Sequence, residues 1–295
     1  MAIDNFAVFI LTHGRARNVK TYGTLRKQGY TGPIYLIIDN EDDQADEYRR
    51  LYGDQVIQFD KAAEAARCDV GDNFPKRNTV LFARNACFQI ARDLGVEYFL
   101  QLDDDYVDFR HKFTPDLVAL DKRDVLNLDR LFAVILDYYK SIPALTVAIG
   151  QGGDFPGGHK SGTLTRLWLK RKVMNTFFCS VDRPFRFVGR MNDDVNTFIT
   201  LGNRGGLMFT LFNVAVQQLE TQSNGGGLTV MYLDFGTFAK SFYTVMYAPS
   251  CIRIREITGA HHQRIHHRIN WDAAVPKIVN EQYRKASKRD GRTGA

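Results

Sequence analysis

Residues 98–109 read YFLQLDDDYVDF, a short apolar run that ends in three successive carboxylates and resumes with aromatic residues. Asp103, Asp104 and Asp105 repel one another, and desolvating them is costly unless a cation joins them. A chain with this stretch must fold so that a strand delivers its carboxyl end to a site rather than to a closed core. The upstream residues supply such a fold. Apolar runs at Phe6–Leu11, PIYLIID and QVIQF alternate with helical stretches at Asn18–Gln28, NEDDQADEYRRLYG and NTVLFARNACFQIARDL, the last stopped by Gly95. Strands alternating with helices predict an α/β fold with a mainly parallel central sheet flanked by helices. Ligands of such sheets gather beyond the carboxyl ends of the strands, which is where the aspartates fall.

The second half is less regular. LDRLFAVILDYYKSI reads as a helix and ALTVAIG as a strand entering the loop QGGDFPGGHKSG. RFVGRMNDDVNTFITLGNRGG combines a turn, an acidic pair and a helix. No repeat or linker composition interrupts residues 1–283, so one domain is expected there. In the segment 284–295, Arg284, Lys285, Lys288, Arg289 and Arg292 face only Asp290, which predicts a disordered basic tail. That tail accounts for much of the net charge of +6; it suits phosphates and equally suits solubility.

Other classes recede. Phe6–Leu11 is too short for a secretory core and no stretch approaches a membrane span, so a soluble, cytoplasmic protein without membrane association is expected. Cys68, Cys87, Cys179 and Cys251 are scattered, which indicates free thiols rather than a zinc knuckle or a disulfide framework.

Asp103 and Asp105, as alternate residues, can turn two carboxylates toward one Mg²⁺ or Mn²⁺ ion, whose shell substrate phosphate and water complete. Asp104 is then left to meet ribose or water. A solvated acidic turn is the plain alternative. Several further stretches, in order, resemble the nucleotide-sugar-binding half of GT-A glycosyltransferases: ILTHGRARN after the first strand, LIIDNED at the end of the second, and FARNACFQIARDLGVEYFLQLDDD. The resemblance implies a GT-A-like fold with a donor-binding half over about 1–107 and an acceptor and catalytic half over 108–283. It makes Thr12, Arg15, Arg17, Asp39, Arg84, Asn85, Asp103 and Asp104 candidate contacts to a nucleotide sugar. Arg15 and Arg17 could instead be surface cations, and Arg84 could pair with a carboxylate on its own helix.

In GRMNDDVNTF, Asp193 and Asp194 match the acidic residue that serves as base at a helix start in many inverting GT-A enzymes, with Asp194 the first choice. Either could simply cap that helix. GAHHQRIHHRINW holds two histidine pairs, but adjacent strand residues face opposite ways, so at most one of each pair can share a cation. In GT-A enzymes a late histidine often adds a metal or diphosphate contact; His266 or His267 fits that place, and His261 and His262 read as turn or surface residues.

FVGRMNDDVNTFITLGNRGGLMFT, QQLETQSNGGGLTVMY, GTFAKSFYTVMYAPS and RIHHRINW are similar to the TET-associated glycosyltransferases of bacteriophages and related viruses, a resemblance running from about Phe6 to Ile278. It implies transfer of a sugar from a nucleotide donor, UDP-glucose or UDP-N-acetylglucosamine among the reasonable ones, to 5-hydroxymethylcytosine in DNA. A TET-like 5-methylcytosine oxygenase would create that acceptor. RLWLKRKVMNTFF, which interleaves cations with aromatics, suits a DNA-gripping surface or an ordinary amphipathic element. The rival readings are transfer to another acceptor, a sugar-nucleotide nucleotidyltransferase, for which THGRARNVK is a poor phosphate loop, and a non-catalytic DNA-binding module.

Overall fold

The computed structural model describes residues 3–114, 119–151, 173–218, 231, 236, 238–258, 263–274 and 280–281. QGGDFPGGHKSG beyond its first residue, Arg166–Lys172, QSNGGGLT, His261, His262 and the basic tail lie outside them.

Nine strands form one mixed sheet: β1 (Phe6–Leu11), β2 (Ile34–Asp39), β3 (Val56–Phe59), β4 (Tyr98–Asp103), β5 (Tyr106–Phe113), β6 (Ala119–Asp124), β7 (Thr146–Gln151), β8 (Phe177–Ser180) and β9 (Met208–Gln218). Their order is β3-β2-β1-β4-β8-β7-β9-β5-β6. The first four run parallel, as the alternating pattern predicts. β8 lies antiparallel to β4 and β7, and β9 is parallel to β7 but antiparallel to β5, so the second half of the sheet is mixed.

β1 is buried on both faces, the signature of a covered parallel strand. Its alternate residues divide the core. Phe6, Val8 and Ile10 pack with Leu100, Leu102 and Phe132, the last on helix α5 (Leu128–Ser141); helix α1 (Lys20–Lys27) adds Leu25 to the same face. Ala7, Phe9 and Leu11 pack with Phe99, Phe177 and helix α4 (Leu81–Asp93). Phe132 meets Phe6, Phe109 and Phe178 edge-on, so its loss to alanine would cost about 3–5 kcal/mol.

Helix α6 (Asp193–Gly202) joins the Phe9 face through Val195, Phe198 and Ile199. Helix α7 (Ala239–Tyr247) buries Ser241 and Thr244 against a separate antiparallel ribbon of β10 (Ile252–Thr258) and β11 (Gln263–Ile269). Among the described residues, no helix is long and apolar enough to cross a membrane.

Candidate active site

β1 and β4 are parallel neighbours in register, with Leu11 opposite Asp103, so the turn after β1 meets the aspartates after β4. There the three carboxylates separate by role. Asp104 turns into the protein: Thr12 Oγ1 donates to its Oδ2 at 2.7 Å, and Arg15 Nη1 to its Oδ1 at 2.8 Å. Both of its oxygens are thus occupied. Asp103 is half-buried, with Oδ1 3.3 Å from Arg84 Nη2. Asp105 has no side-chain hydrogen bond or ion pair to another residue among those described. Burial, with Asp103 and Asp104 adding repulsion, pushes its carboxyl up to about 6.

Arg84, on α4, is the hub between this cluster and the second acidic pair. Its guanidinium lies 4.9 Å from the Phe177 ring centre and 5.6 Å from that of Phe187. Nε stands 2.9 Å from Asp193 Oδ2, an ion contact whose N–H is not aimed at the oxygen. Burial works against the charge, but Asp193, Asp103 and Asp194 outweigh it and hold the guanidinium protonated. Asp193 is buried and its carboxyl is pushed up to about 7, chiefly by desolvation, with Arg84 opposing and Asp194 and Asp103 reinforcing. Asp103 is raised by burial too, again against Arg84 and with Asp104 and Asp194 adding to it. Asp194 is half-buried; its Oδ1 accepts from Val195 N at 2.7 Å and its Oδ2 has no partner among the described residues.

Asn192 heads α6 in the left-handed conformation (φ 54°, ψ 36°), which asparagine tolerates better than most residues. Its amide donates to Lys240 O and Thr244 Oγ1 on α7 and lies 3.4 Å from His267 Nδ1. His267 is buried on the ribbon at the head of α6, and the His266 ring lies tilted beside it, with ring centres 4.2 Å apart. His267 thus meets the head of the acidic pair's helix.

The remaining candidates divide. Asp39, at the end of β2, pairs with His13 Nδ1 at 2.8 Å and with the buried Lys61 Nζ at 3.2 Å. His13 is raised, first by its hydrogen bond to Asp39; Asp39 is lowered, since His13 and Lys61 together outweigh its burial. Arg17 lies on the surface against Glu47, away from the aspartates. Asn85 spends its amide on the Phe187 backbone, donating to O at 3.0 Å and accepting from N at 2.8 Å.

Sequence reasoning assigned no role to His13, Lys61 or Arg190. His13 could have been found as the residue that follows a strand end beside the Asp39 strand. Arg190 had no local signal: it is 2% exposed, grips Asp72 through Nε and Nη2, and donates to Phe74 O and Lys76 O. Tyr243 on α7 also donates to Asp72, so this knot fixes the backbone just before the acidic pair. Gly189 is obligatory there: with φ +87°, an added Cβ would lie 2.2 Å from Asn196 Nδ2.

Among the described residues, no three His, Cys, Asp or Glu side chains converge as a ready-made metal cage. Asp103 and Asp105 nevertheless suit a hard divalent ion that takes one or two carboxylates and completes its shell with phosphate and water. Their mutual repulsion is the kind a cation relieves. The family model described as TET-Associated Glycosyltransferase matches residues 6–227, which include both acidic clusters. Comparison with curated proteins gives no match.

Proposed function

The chain belongs to the TET-associated glycosyltransferase family, and from that premise we propose that it moves a sugar from a UDP-sugar to the hydroxymethyl oxygen of 5-hydroxymethylcytosine in DNA. The observation that carries this reading is the division of labour among the carboxylates. Asp104 and Asp193 are tied to Arg15 and Arg84, while Asp105 and one oxygen of Asp194 have no side-chain partner among the described residues.

Asp105 and Asp103 would hold Mg²⁺ or Mn²⁺, which when bound neutralises the departing nucleotide diphosphate as a Lewis acid. Arg15, beside Asp104, adds positive charge at the same turn. Asp194 takes the proton from the hydroxymethyl group as its oxygen bonds to the anomeric carbon. The bond from that carbon to the diphosphate breaks and UDP leaves with the electron pair, so configuration inverts. Asp193, buried against Arg84, holds the head of α6 toward β4 and is the poorer base because the acceptor cannot reach it. His267 steadies Asn192 at the head of α6. Asp39, His13 and Lys61 would meet the nucleoside, since they lie at or just past the carboxyl ends of β2, β1 and β3 respectively.

The test is incubation with hydroxymethylated DNA, Mn²⁺ and a panel of nucleotide sugars, followed by nucleoside mass spectrometry. A hexose-sized gain on 5-hydroxymethylcytosine with a UDP-sugar, of inverted configuration, is expected. No gain with any donor from folded protein would exclude DNA as acceptor, and a retained configuration would remove Asp194 from its role.

A further inference from the structure

In the β10–β11 ribbon the register sets Arg253 opposite Arg268, with Arg255 two residues along β10 on the same face. All three are exposed, and none makes an ion pair or hydrogen bond with its side chain among the described residues. Some exposed arginines elsewhere find carboxylates, with Arg17 and Arg50 sharing Glu47, Arg49 meeting Asp46 and Arg77 meeting Glu41. Others, such as Arg67 and Arg204, do not among the described residues. What sets the ribbon apart is that Arg253 and Arg268 are paired directly across the ladder. Like charges directly opposite on a ladder are destabilising, and a lone two-stranded ribbon has little stability to spare. Folding alone does not account for this pattern.

The other face of the ribbon differs. It carries Ile252, buried, with Ile254 and Glu256, and across from them Ile269, His267 and Ile265. Here His267 reaches Asn192, and Ser241 Oγ on α7 donates to Ile265 O at 3.5 Å. Ile252 and His267 on this face are buried, His267 toward the head of α6, while Ile254, Glu256 and Ile265 stay exposed. The opposite face carries the three exposed arginines together with His266. Neighbours on that face lie about 7 Å apart along a strand and about 5 Å across the pair. A row of guanidinium groups at such spacing suits a polyanion with closely repeated charges, and each planar fork can engage phosphate oxygens in pairs.

We propose that the arginine-bearing face of this ribbon, through Arg253, Arg255 and Arg268, binds the phosphate backbone of the acceptor DNA. The inference rests on the reading of DNA as acceptor. The ribbon holds the duplex while its opposite face stays fixed to the helix that carries Asp194. These contacts position the substrate without reading its sequence.

The experiment compares the wild type with the R253A/R255A/R268A variant, binding a labelled, unmodified duplex by fluorescence anisotropy between 50 and 200 mM salt. Three lost phosphate contacts flatten the slope of log K against log salt by about 2.7, so the salt-induced loss of affinity across that range shrinks roughly forty-fold. Transfer to duplex should show a raised KM, while sugar release from the donor to water stays unchanged. The R268A variant checks folding: removing one member of a repulsive pair leaves the melting temperature equal or higher. An unchanged salt slope and duplex KM in the folded triple variant overturn the proposal, as does a lowered melting temperature for R268A. Failure of the wild type to glycosylate any hydroxymethylated DNA overturns the DNA reading itself, which the variants do not test.

Discussion

At the end of β4, Asp104 is held by Arg15, whose side chain is 23% exposed; at the head of α6, Asp193 leans on Arg84, whose side chain is 4% exposed. Both clusters tie one carboxylate to a guanidinium and leave another half-buried without a side-chain partner among the described residues. They differ in what the tie costs to break. Water can replace much of Arg15, whereas removing Arg84 strands Asp193 and Asp103 in low dielectric. The tie at β4 is thus the weaker of the two, and the α6 pair is the more firmly held.

The largest expected effect separates the members of the α6 pair. Asp194→Asn should lower kcat by about 10²–10⁴ with donor KM little changed, and Asp193→Asn by less, read from initial rates on hydroxymethylated DNA. A larger loss from Asp193→Asn, with Asp194→Asn near full activity, would exchange their roles. Next come the two anchors. Arg84→Met should lower the unfolding free energy by about 3–5 kcal/mol, as for other broken buried pairs. Arg15→Met should cost less than that, since Arg15 is partly exposed and Thr12 still donates to the buried Asp104. Equal losses in urea denaturation would erase the distinction.

The smallest effect lies beside these clusters, at the His13–Asp39 pair. His13 holds its proton more tightly folded than unfolded, so its contribution is complete below about 6.5 and is lost as pH rises through the raised value. Asp39 acts at the other end: its contribution is present above 3.8 and is lost as pH falls through the lowered value. Because His13 is 45% exposed, the bridge is worth less than about 1 kcal/mol. His13→Gln should flatten the decline of stability above pH about 6.5 by that amount and leave the acid limb mostly to Lys61. A decline as steep as in the wild type would show that His13 does not supply it.

The first half was legible because its signals are local. The apolar run at Tyr98–Leu102, the helix stopped by Gly95 and the carboxylates at a strand end each follow from neighbouring residues, and parallel pairing follows from their alternation. What the sequence hid depends on partners far along the chain. Asn85 reads like a donor contact, yet it bonds Phe187, 102 positions away. Arg190 closes on Asp72 at a separation of 118. β5, written YVDFRHKF, carries too many charges to stand out as a strand, and it is built in by pairing with β9 and β6. Either member of the acidic pair could have been the free one, because only the position of Arg84 distinguishes them.

The proposed divalent cation would join Asp103 and Asp105 to the donor's phosphates, and turnover on hydroxymethylated DNA through removal and return of Mn²⁺ tests it most directly. Exhaustive chelation should abolish transfer, added Mn²⁺ should restore it, and Asp105→Ala should stay inactive at every concentration. Undiminished transfer after chelation, or full activity in folded Asp105→Ala protein, would contradict it.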